Sequence, residues 1–361
     1  MTDFDVIVIG GGPAGCYAAL TAAAKGCTVA VLEEHGVIGR PRHDPGWLME
    51  SEFTDSVIDA LDGRVPWSRV KEYRVCRAES GETIEKSTLG GYLVPRDIFD
   101  REIAALAVKA GVSLYVRTGV RKLVRSGSEV TAVETNSEAV PRVTARVIIC
   151  ADGIRSTAGG FASEEGLCQR SQAKPGISYL LANADVSGGV IEHFLSPDPA
   201  LNYKCFFAHR DGESYFTADS YKGFLELQGR EDNALSRKLK KAQTVEANGF
   251  GRALSGKYGK YFEKVVRNNI IFAGDASGGA GNIHGMIQGK FAGTVAAEAV
   301  RDNDVSEERL SRYQDMVSAT LGEVPFSFFS AREDFGTFNE WFRRFAEITR
   351  GMKADELAGL I

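Results

Sequence analysis

Gly10, Gly12 and Gly15, the acidic pair Glu33 and Glu34, and the histidines His43 and His284 are the residues whose types and spacing can do chemistry here. The glycines stand in a G-x-G-x-x-G pattern. The first permits a tight turn, the second lets a pyrophosphate approach the main chain, and the third lets a helix pack closely on a strand. The phosphates would meet the free N–H groups of that helix's first turn. An acid about twenty residues further on accepts hydrogen bonds from ribose hydroxyls and disfavours a 2′-phosphate. Histidine donates or takes a proton near neutral pH. A bound dinucleotide is predicted, and these residues leave NAD and FAD both open.

The elements needed to position these groups can be read around them. The apolar run 6–9 is a buried parallel strand, residues 16–25 have helix-forming composition, and 28–32 is the next strand, ending at Glu33. Residues 35–47 form a Gly- and Pro-rich loop that carries Arg40, Arg42, His43 and Trp47, a chemistry typical of ligand-touching loops. Helices are predicted over 52–61 and 97–110, with strands between 70 and 93 and at 112–116. Short strands from 120 to 145 lead to a buried one at 146–150, which finishes on Asp152-Gly153. Residues 176–217 alternate as a mostly antiparallel insertion, and 231–248 read as a charged helix. Residues 269–272 form another buried strand, ending on Gly274-Asp275. A glycine-rich loop containing His284 follows, then a helix over 289–302 and further helices.

Bulk properties narrow the class. The chain has 361 residues and 43% hydrophobic content, enough for a large core. Lys plus Arg number 43 against 48 Asp plus Glu, a formal charge of -5, which leaves no electrostatic footprint for nucleic acid. Cys16, Cys27, Cys76, Cys150, Cys168 and Cys205 are scattered with no C-x-x-C pair, so neither a metal site nor a disulfide framework is expected. The N-terminus lacks the basic and apolar regions of a signal peptide, and no run approaches the roughly 20 apolar residues of a membrane span. A cytoplasmic protein is expected, with peripheral membrane contact as an added role.

Four separated pieces carry a resemblance: Gly10 to Gly15, Tyr92 to Arg96 before a helix, Ala151-Asp152-Gly153, and Gly274-Asp275-Ala276. Together they resemble the flavoproteins that include p-hydroxybenzoate hydroxylase and the geranylgeranyl reductases. The resemblance implies an α/β fold: a Rossmann-like FAD-binding domain, an inserted antiparallel-sheet substrate domain and C-terminal helices. Residues 1–70, 96–165 and 265–302 would make the first, 71–95 and 166–264 the second, and 303–361 the third. It implies non-covalent FAD, with Glu33 on the adenosine ribose beside Glu34 and Arg96 near the phosphates. Asp152 and Gly153 would brace the pyrophosphate region and Asp275 would bind the ribityl chain. Pro13, Ala14, Arg42, Gly274, Gly285 and Met286 complete the cofactor set.

Within that group the chain is most similar to the reductases. Their P-V-x-C-x-x-G loop is matched by Pro41 to Gly46, with His43 in place of cysteine. Their Y-x-W-x-F-P signature is matched by Tyr203 to Ala208, with Cys205 for tryptophan and Ala208 for proline. This implies an FAD-dependent oxidoreductase that reduces or forms carbon-carbon double bonds in a mostly apolar, isoprenoid-like or carrier-linked substrate. Trp47, Tyr203, Cys205 and Phe207 would line the pocket. His43 would serve as the acid and His284 as a flavin or substrate contact, the second candidate for the acid. NADPH, NADH or ferredoxin would supply electrons, which makes an electron-donor protein a candidate partner. An aromatic monooxygenase on the same scaffold and a non-catalytic FAD-binding module are the alternatives; the absence of a G-W-x-W-x-I-P segment argues against a tryptophan halogenase.

The C-terminal region carries Phe326, Phe328, Phe329, Phe335, Phe338, Trp341, Phe342 and Phe345, the last four at helical spacing. Such a stripe predicts a core-facing helix, with a lid or a membrane contact as the alternative near Arg343, Arg344 and Arg350.

Overall fold

The computed structural model describes residues 3–42, 44–157, 160–166, 174–218, 220–252, 264–278, 281–322, 336–358 and 360. Among these the strands run, in chain order, β1 (Phe4–Ile9), β2 (Val29–Leu32), β3 (Trp47–Leu48), β4 (Ser68–Arg69), β5 (Glu72–Arg77), β6 (Thr83–Ser87) and β7 (Tyr92–Leu93). They continue as β8 (Ser113–Tyr115), β9 (Val120–Ser126), β10 (Glu129–Thr135), β11 (Arg142–Cys150), β12 (Lys174–Ala182), β13 (Val190–Leu195) and β14 (Lys204–Arg210). The last are β15 (Glu213–Ala218), β16 (Gln243–Arg252), β17 (Val266–Arg267) and β18 (Ile270–Phe272).

One sheet has the order β17-β18-β11-β1-β2-β8, with β10 on β11 and β9 on β10. The β18-β11-β1-β2-β8 core is parallel. Its central strands are covered on both faces, which is why Val6–Ile9, Val147–Cys150 and Ile270–Phe272 are unbroken apolar runs instead of alternating ones. The helix Pro13–Ala24 returns from β1, with proline at the first position, where its missing N–H costs no intrahelical bond. It packs on the long helix Gly281–Arg301 at backbone contact. A Cβ on Gly289 would lie 2.3 Å from the Ala14 carbonyl oxygen, and one on Gly293 would lie 2.3 Å from that of Ala18.

The second sheet, β16-β12-β15-β14-β13-β5-β6, is antiparallel except where β13 runs parallel to β5. Period-two alternation sorts its side chains. Phe194, Phe206, Phe216 and Tyr179 face the helices Tyr221–Gly229 and Ala234–Leu239, while Tyr73, Ile191, Cys205, Phe207 and Tyr215 join the main core. A third, small sheet has the order β3-β7-β4.

The C-terminal helix, Phe338–Ile348, begins in a capping box between Thr337 and Glu340, and Glu85 accepts from the backbone N–H of Phe338 at 2.6 Å. It buries Phe338, Trp341, Phe342 and Phe345 on one face, the predicted stripe. Two readings differ from the structure. Residues 243–248 form the start of β16 rather than a helix, because pairing with β12 from Ala182 to Lys174 overrides their charged composition. The long helix begins at Gly281 instead of Gly289, so the run holding His284, Gly285 and Met286 is helical.

Candidate functional site

Parallel register sets the first part of the site. Ile9 is paired with both Leu32 and Cys150, and Cys150 with Phe272, so four strands end together. Gly10, Glu33, Asp152-Gly153 and Gly274-Asp275 therefore line one edge, the carboxyl end where open α/β sheets bind ligands. Gly10 has φ +100°, and a Cβ there would lie 2.4 Å from the Ala151 carbonyl oxygen. A Cβ on Gly15 would sit 2.0 Å from the Gly10 oxygen, so the helix can close on the strand only without a side chain. Glu33 is buried and ordered: Oε2 accepts from Gly11 N–H at 2.7 Å, and Oε1 accepts from His35 N–H at 2.8 Å and lies 2.7 Å from His35 Nδ1. Glu34 is exposed, 3.8 Å from His35 Nε2.

This edge fits a dinucleotide. Around Gly12 a Cβ would meet nothing within 4 Å, and the helix it precedes has neither a side-chain cap nor an acid in its first turn. Free N–H groups facing open space suit an anionic pyrophosphate. In the turn Gly274–Ser277 the flanking residues are buried and Asp275 alone is exposed, as a carboxylate reaching toward a polyhydroxyl chain would be. Gln288 Oε1 fixes that turn by accepting from Gly274 N–H at 2.7 Å. Gly153, at φ +69°, also opens onto free space.

The loop after β2 ties this edge to the second sheet. Arg96 is half-buried and forks onto Asp100 at 2.7 and 2.8 Å, donates to Asn282 Oδ1 at 2.5 Å and stands 3.2 Å from Asp44. These carboxylates hold its guanidinium firmly protonated against the cost of burial. Asn282 in turn donates to Asp44 Oδ1 at 2.8 Å and to the Trp47 carbonyl at 3.2 Å. Arg42 turns toward the second sheet, pairing with Glu246 on β16, with Asp97 at 3.4 Å and the Tyr215 ring 5.8 Å away. His209 Nε2 meets the Pro45 carbonyl at 2.9 Å, and burial lowers its pKa.

The second part is an aromatic face. Trp47 stacks on Tyr73 with ring centroids 6.0 Å apart, and Phe207, Trp341 and Phe342 lie 5.8 to 6.2 Å from it. Tyr73 and His193 project from the same side of the parallel pair β5–β13. They are 1% and 4% exposed, and the Tyr73 hydroxyl is 3.1 Å from His193 Nδ1. Phe338 of the C-terminal helix caps both, at 5.3 and 5.9 Å. These rings pack against one another within the core, around one buried hydroxyl-imidazole pair.

The predicted residues thus fall into two groups. Gly10, Gly12, Pro13, Ala14, Gly15, Glu33, Asp152, Gly153, Gly274 and Asp275 share the strand-end edge. Trp47, Cys205 and Phe207 share the aromatic face, with Tyr203 half-exposed in a left-handed turn 5.8 Å from His193. Arg96 and Arg42 lie on the bridging network. His284 is buried within the long helix beside Phe345, at 4.7 Å, and burial lowers its pKa to about 3; Gly285 and Met286 are buried beside it. His43, Cys168, Phe326, Phe328, Phe329 and Phe335 lie outside the described residues. The sequence reading missed Tyr73, His193, Asp44, Asn282, Glu246 and His209. Only strand alternation hinted at the first two, and the others needed the tertiary structure. Among the described residues no helix is long and apolar enough to cross a membrane, and no cluster of metal-binding side chains occurs.

A glycine-lined edge at the carboxyl ends of parallel strands defines a dinucleotide-binding protein. A family model described as FAD dependent oxidoreductase matches residues 5–251. The digeranylgeranylglycerophospholipid reductase of Methanosarcina acetivorans is 30% identical over 342 residues, covering 88% of this chain and 81% of that protein. Digeranylgeranylglycerophospholipid reductase 2 of Methanopyrus kandleri is 29% identical over 341 residues, covering 89% and 84%. A geranylgeranyl bacteriochlorophyll reductase-like structure from Thermoplasma acidophilum aligns at TM-score 0.73 and 21% identity, covering 99% of this chain and 95% of that one. A flavin-dependent brominase aligns at TM-score 0.72 and 17% identity, covering 95% and 93%; both structural likenesses concern the fold. The chain belongs to the FAD dependent oxidoreductase family, in its geranylgeranyl reductase-like branch, and its cofactor is FAD.

Proposed function

We propose that this protein reduces carbon-carbon double bonds in a mostly apolar, isoprenoid-like substrate, or forms them in the reverse direction. The observation that carries the reading is the aromatic face beside the cofactor edge, with a hydroxyl-imidazole pair inside it. The names of the relatives support the same chemistry. FAD, when bound, supplies hydride chemistry at its ring. Gly10, Gly12, Pro13, Ala14 and Gly15 would hold its pyrophosphate, with Asp152 and Gly153 bracing that region. Glu33, with Glu34 beside it, would hold the ribose and Asp275 the ribityl chain. Arg96, Arg42, Gly274, Gly285 and Met286 would shape the surrounding walls.

Trp47, Phe207, Cys205 and Tyr203 would orient the alkene, and the C-terminal helix would exclude water. The Tyr73 hydroxyl would give the proton, with His193 Nδ1 behind it. His43 remains a candidate acid. His284, neutral because it is buried, serves this reading as a packing contact near the flavin instead of a charged donor. Electrons would come from NADPH, NADH or ferredoxin. Access to lipid substrates at a membrane surface, with the protein otherwise cytoplasmic, belongs to the same proposal.

The test is anaerobic. The FAD-loaded protein is reduced and mixed with a prenyl alkene, and the flavin absorbance and the saturation of the product are followed. Reoxidation coupled stoichiometrically to alkene loss is expected. Fast aerobic turnover that needs an aromatic effector and leaves the alkene intact would replace this reading with a monooxygenase.

A further inference from the structure

We propose that the buried hydroxyls of Tyr215 and Ser178 form a subsite for an uncharged carbonyl group that the substrate carries at a distance from its reacting double bond. The inference rests on the alkene-reduction reading and names the substrate class more closely, as an apolar chain bearing a neutral carbonyl oxygen.

Tyr215 on β15 and Ser178 on β12 are 4% and 2% exposed, and neither hydroxyl oxygen has a hydrogen-bond partner among the described residues. A buried hydroxyl left so has lost its hydration without compensation, and a ligand oxygen restores the balance. Among the described hydroxyls in that state, only these two share the face of the second sheet that joins the main core. Tyr215 is opposite Leu180 and Ser178 is opposite Thr217; Leu180 packs on that core, while Tyr179 turns to the other side. The surroundings carry no surplus charge. Arg42 pairs with Glu246 and lies 3.4 Å from Asp97, and Arg40 lies 2.8 Å from Asp97 and 3.3 Å from Glu246, two cations against two carboxylates. Burial pushes the pKa of the Tyr215 phenol up to about 12, so it stays a neutral donor. Two hydroxyl donors without an unbalanced charge call for an uncharged acceptor. A carbonyl oxygen, with two lone pairs and no proton of its own, is one.

Register ties this subsite to the aromatic face. Tyr215 pairs with Phe207, Phe207 with Ile191 and Ile191 with Tyr73, so one row crosses four strands with a phenol at each end. Three strand spacings separate the ends of the row by roughly 14 Å. Between them, the Trp47 ring stands 6.1 Å from Phe207 and 6.0 Å from Tyr73. A carbonyl at Tyr215 therefore belongs to a part of the substrate remote from the double bond that meets Tyr73, and its hydrogen bond fixes how far along the row the chain lies. The loop that bridges the cofactor edge and the second sheet packs on the same end. Arg42 is 5.8 Å from the centre of the Tyr215 ring, and His209, 5.3 Å from that ring, meets the Pro45 carbonyl at 2.9 Å.

Binding to the FAD-loaded protein would be followed by the change in flavin absorbance for a prenyl methyl ketone, the hydrocarbon with a methylene in place of the carbonyl, and the corresponding secondary alcohol. The ketone is expected to bind about tenfold tighter than the hydrocarbon, the worth of one good hydrogen bond to a buried donor. Tyr215→Phe should erase most of that preference and Ser178→Ala part of it, with hydrocarbon binding unchanged. Both ligand-free variants should melt at or above the temperature of the parent, because each loses a buried hydroxyl that nothing in the fold satisfies. Equal affinity for ketone and hydrocarbon overturns the proposal, as does a ketone preference that survives in both variants. Alcohol binding as tightly as the ketone overturns the carbonyl assignment. A lower melting temperature with the preference intact would show that the hydroxyls serve the fold through a structural water. The two readings fail separately. A carbonyl preference that persists while no double bond is reduced leaves the subsite standing, and reduction of ketone and hydrocarbon with equal affinity and rate removes the subsite alone.

Discussion

The Tyr73 hydroxyl lies 3.1 Å from Nδ1 of His193, a residue 120 positions further along the chain, on an adjacent parallel strand. Removing the hydroxyl while keeping the ring should therefore isolate proton delivery from packing. Tyr73→Phe is expected to lower the single-turnover rate of alkene reduction by about 10²-fold, a typical size for a positioned general acid, with flavin reduction by the donor unchanged. His193→Gln should slow the same step. A Tyr73→Phe enzyme that keeps its full rate would move the proton source elsewhere, to His43 first.

Gly10 and Gly12 should respond differently to alanine. At Gly10 the positive φ and the Ala151 carbonyl 2.4 Å from a Cβ make the change a folding defect, costing more than about 2 kcal/mol. Gly12→Ala has free space and should fold normally yet bind FAD more weakly, since the added methyl stands where the backbone meets the pyrophosphate. Thermal unfolding and flavin absorbance after desalting separate the two.

Arg96→Lys tests the bridge between cofactor edge and loop. A lysine cannot fork onto Asp100 and also reach Asn282 and Asp44, as the guanidinium does. A loss of several degrees in Tm is expected, with FAD affinity reduced about tenfold if the Asp44–Asn282 tie positions the flavin. Equilibrium dialysis of FAD provides the second readout, and affinity unchanged from wild type would confine Arg96 to a structural role.

His284 predicts an acid instability. Burial lowers its pKa from 6.5 to about 3, so below pH 6.5 the unfolded chain gains a proton that the native site refuses. Stability is full above that value and falls as pH drops toward 3, reaching a loss of about 2 kcal/mol at pH 5. His209, lowered by its own burial, adds in the same direction. His284→Phe should make the decline between pH 7 and 5 shallower in urea unfolding; an unaltered slope would show that the imidazole takes up its proton in the native state.

The strand-end edge was legible in the sequence because parallel strands buried on both faces are continuous apolar runs, and the residues that follow them mark the carboxyl end of the sheet. Gly10, Asp152 and Asp275 each follow such a run. The aromatic face was only half legible. Alternation shows that Tyr73 and His193 each point to one side of a strand, but nothing local reveals that β5 and β13 pair, or in which register. The glycines around His284 read as a loop because their helical role depends on a neighbour. Gly289 and Gly293 lie in the long helix to admit the backbone of the first one, and the helix runs on back to Gly281.

Residues 40–42 and 44–47 are sewn to the second sheet and to the helices that cover the first: Arg42 to Glu246, the Pro45 carbonyl to His209, Asp44 to the Arg96–Asn282 pair, and Trp47 to Gly90. Neither sheet can melt alone without tearing that stretch loose. The molecule should therefore show one calorimetric endotherm despite its discontinuous chain path, and its midpoint should climb with free FAD concentration, so that occupancy at the glycine edge steadies the aromatic face as well.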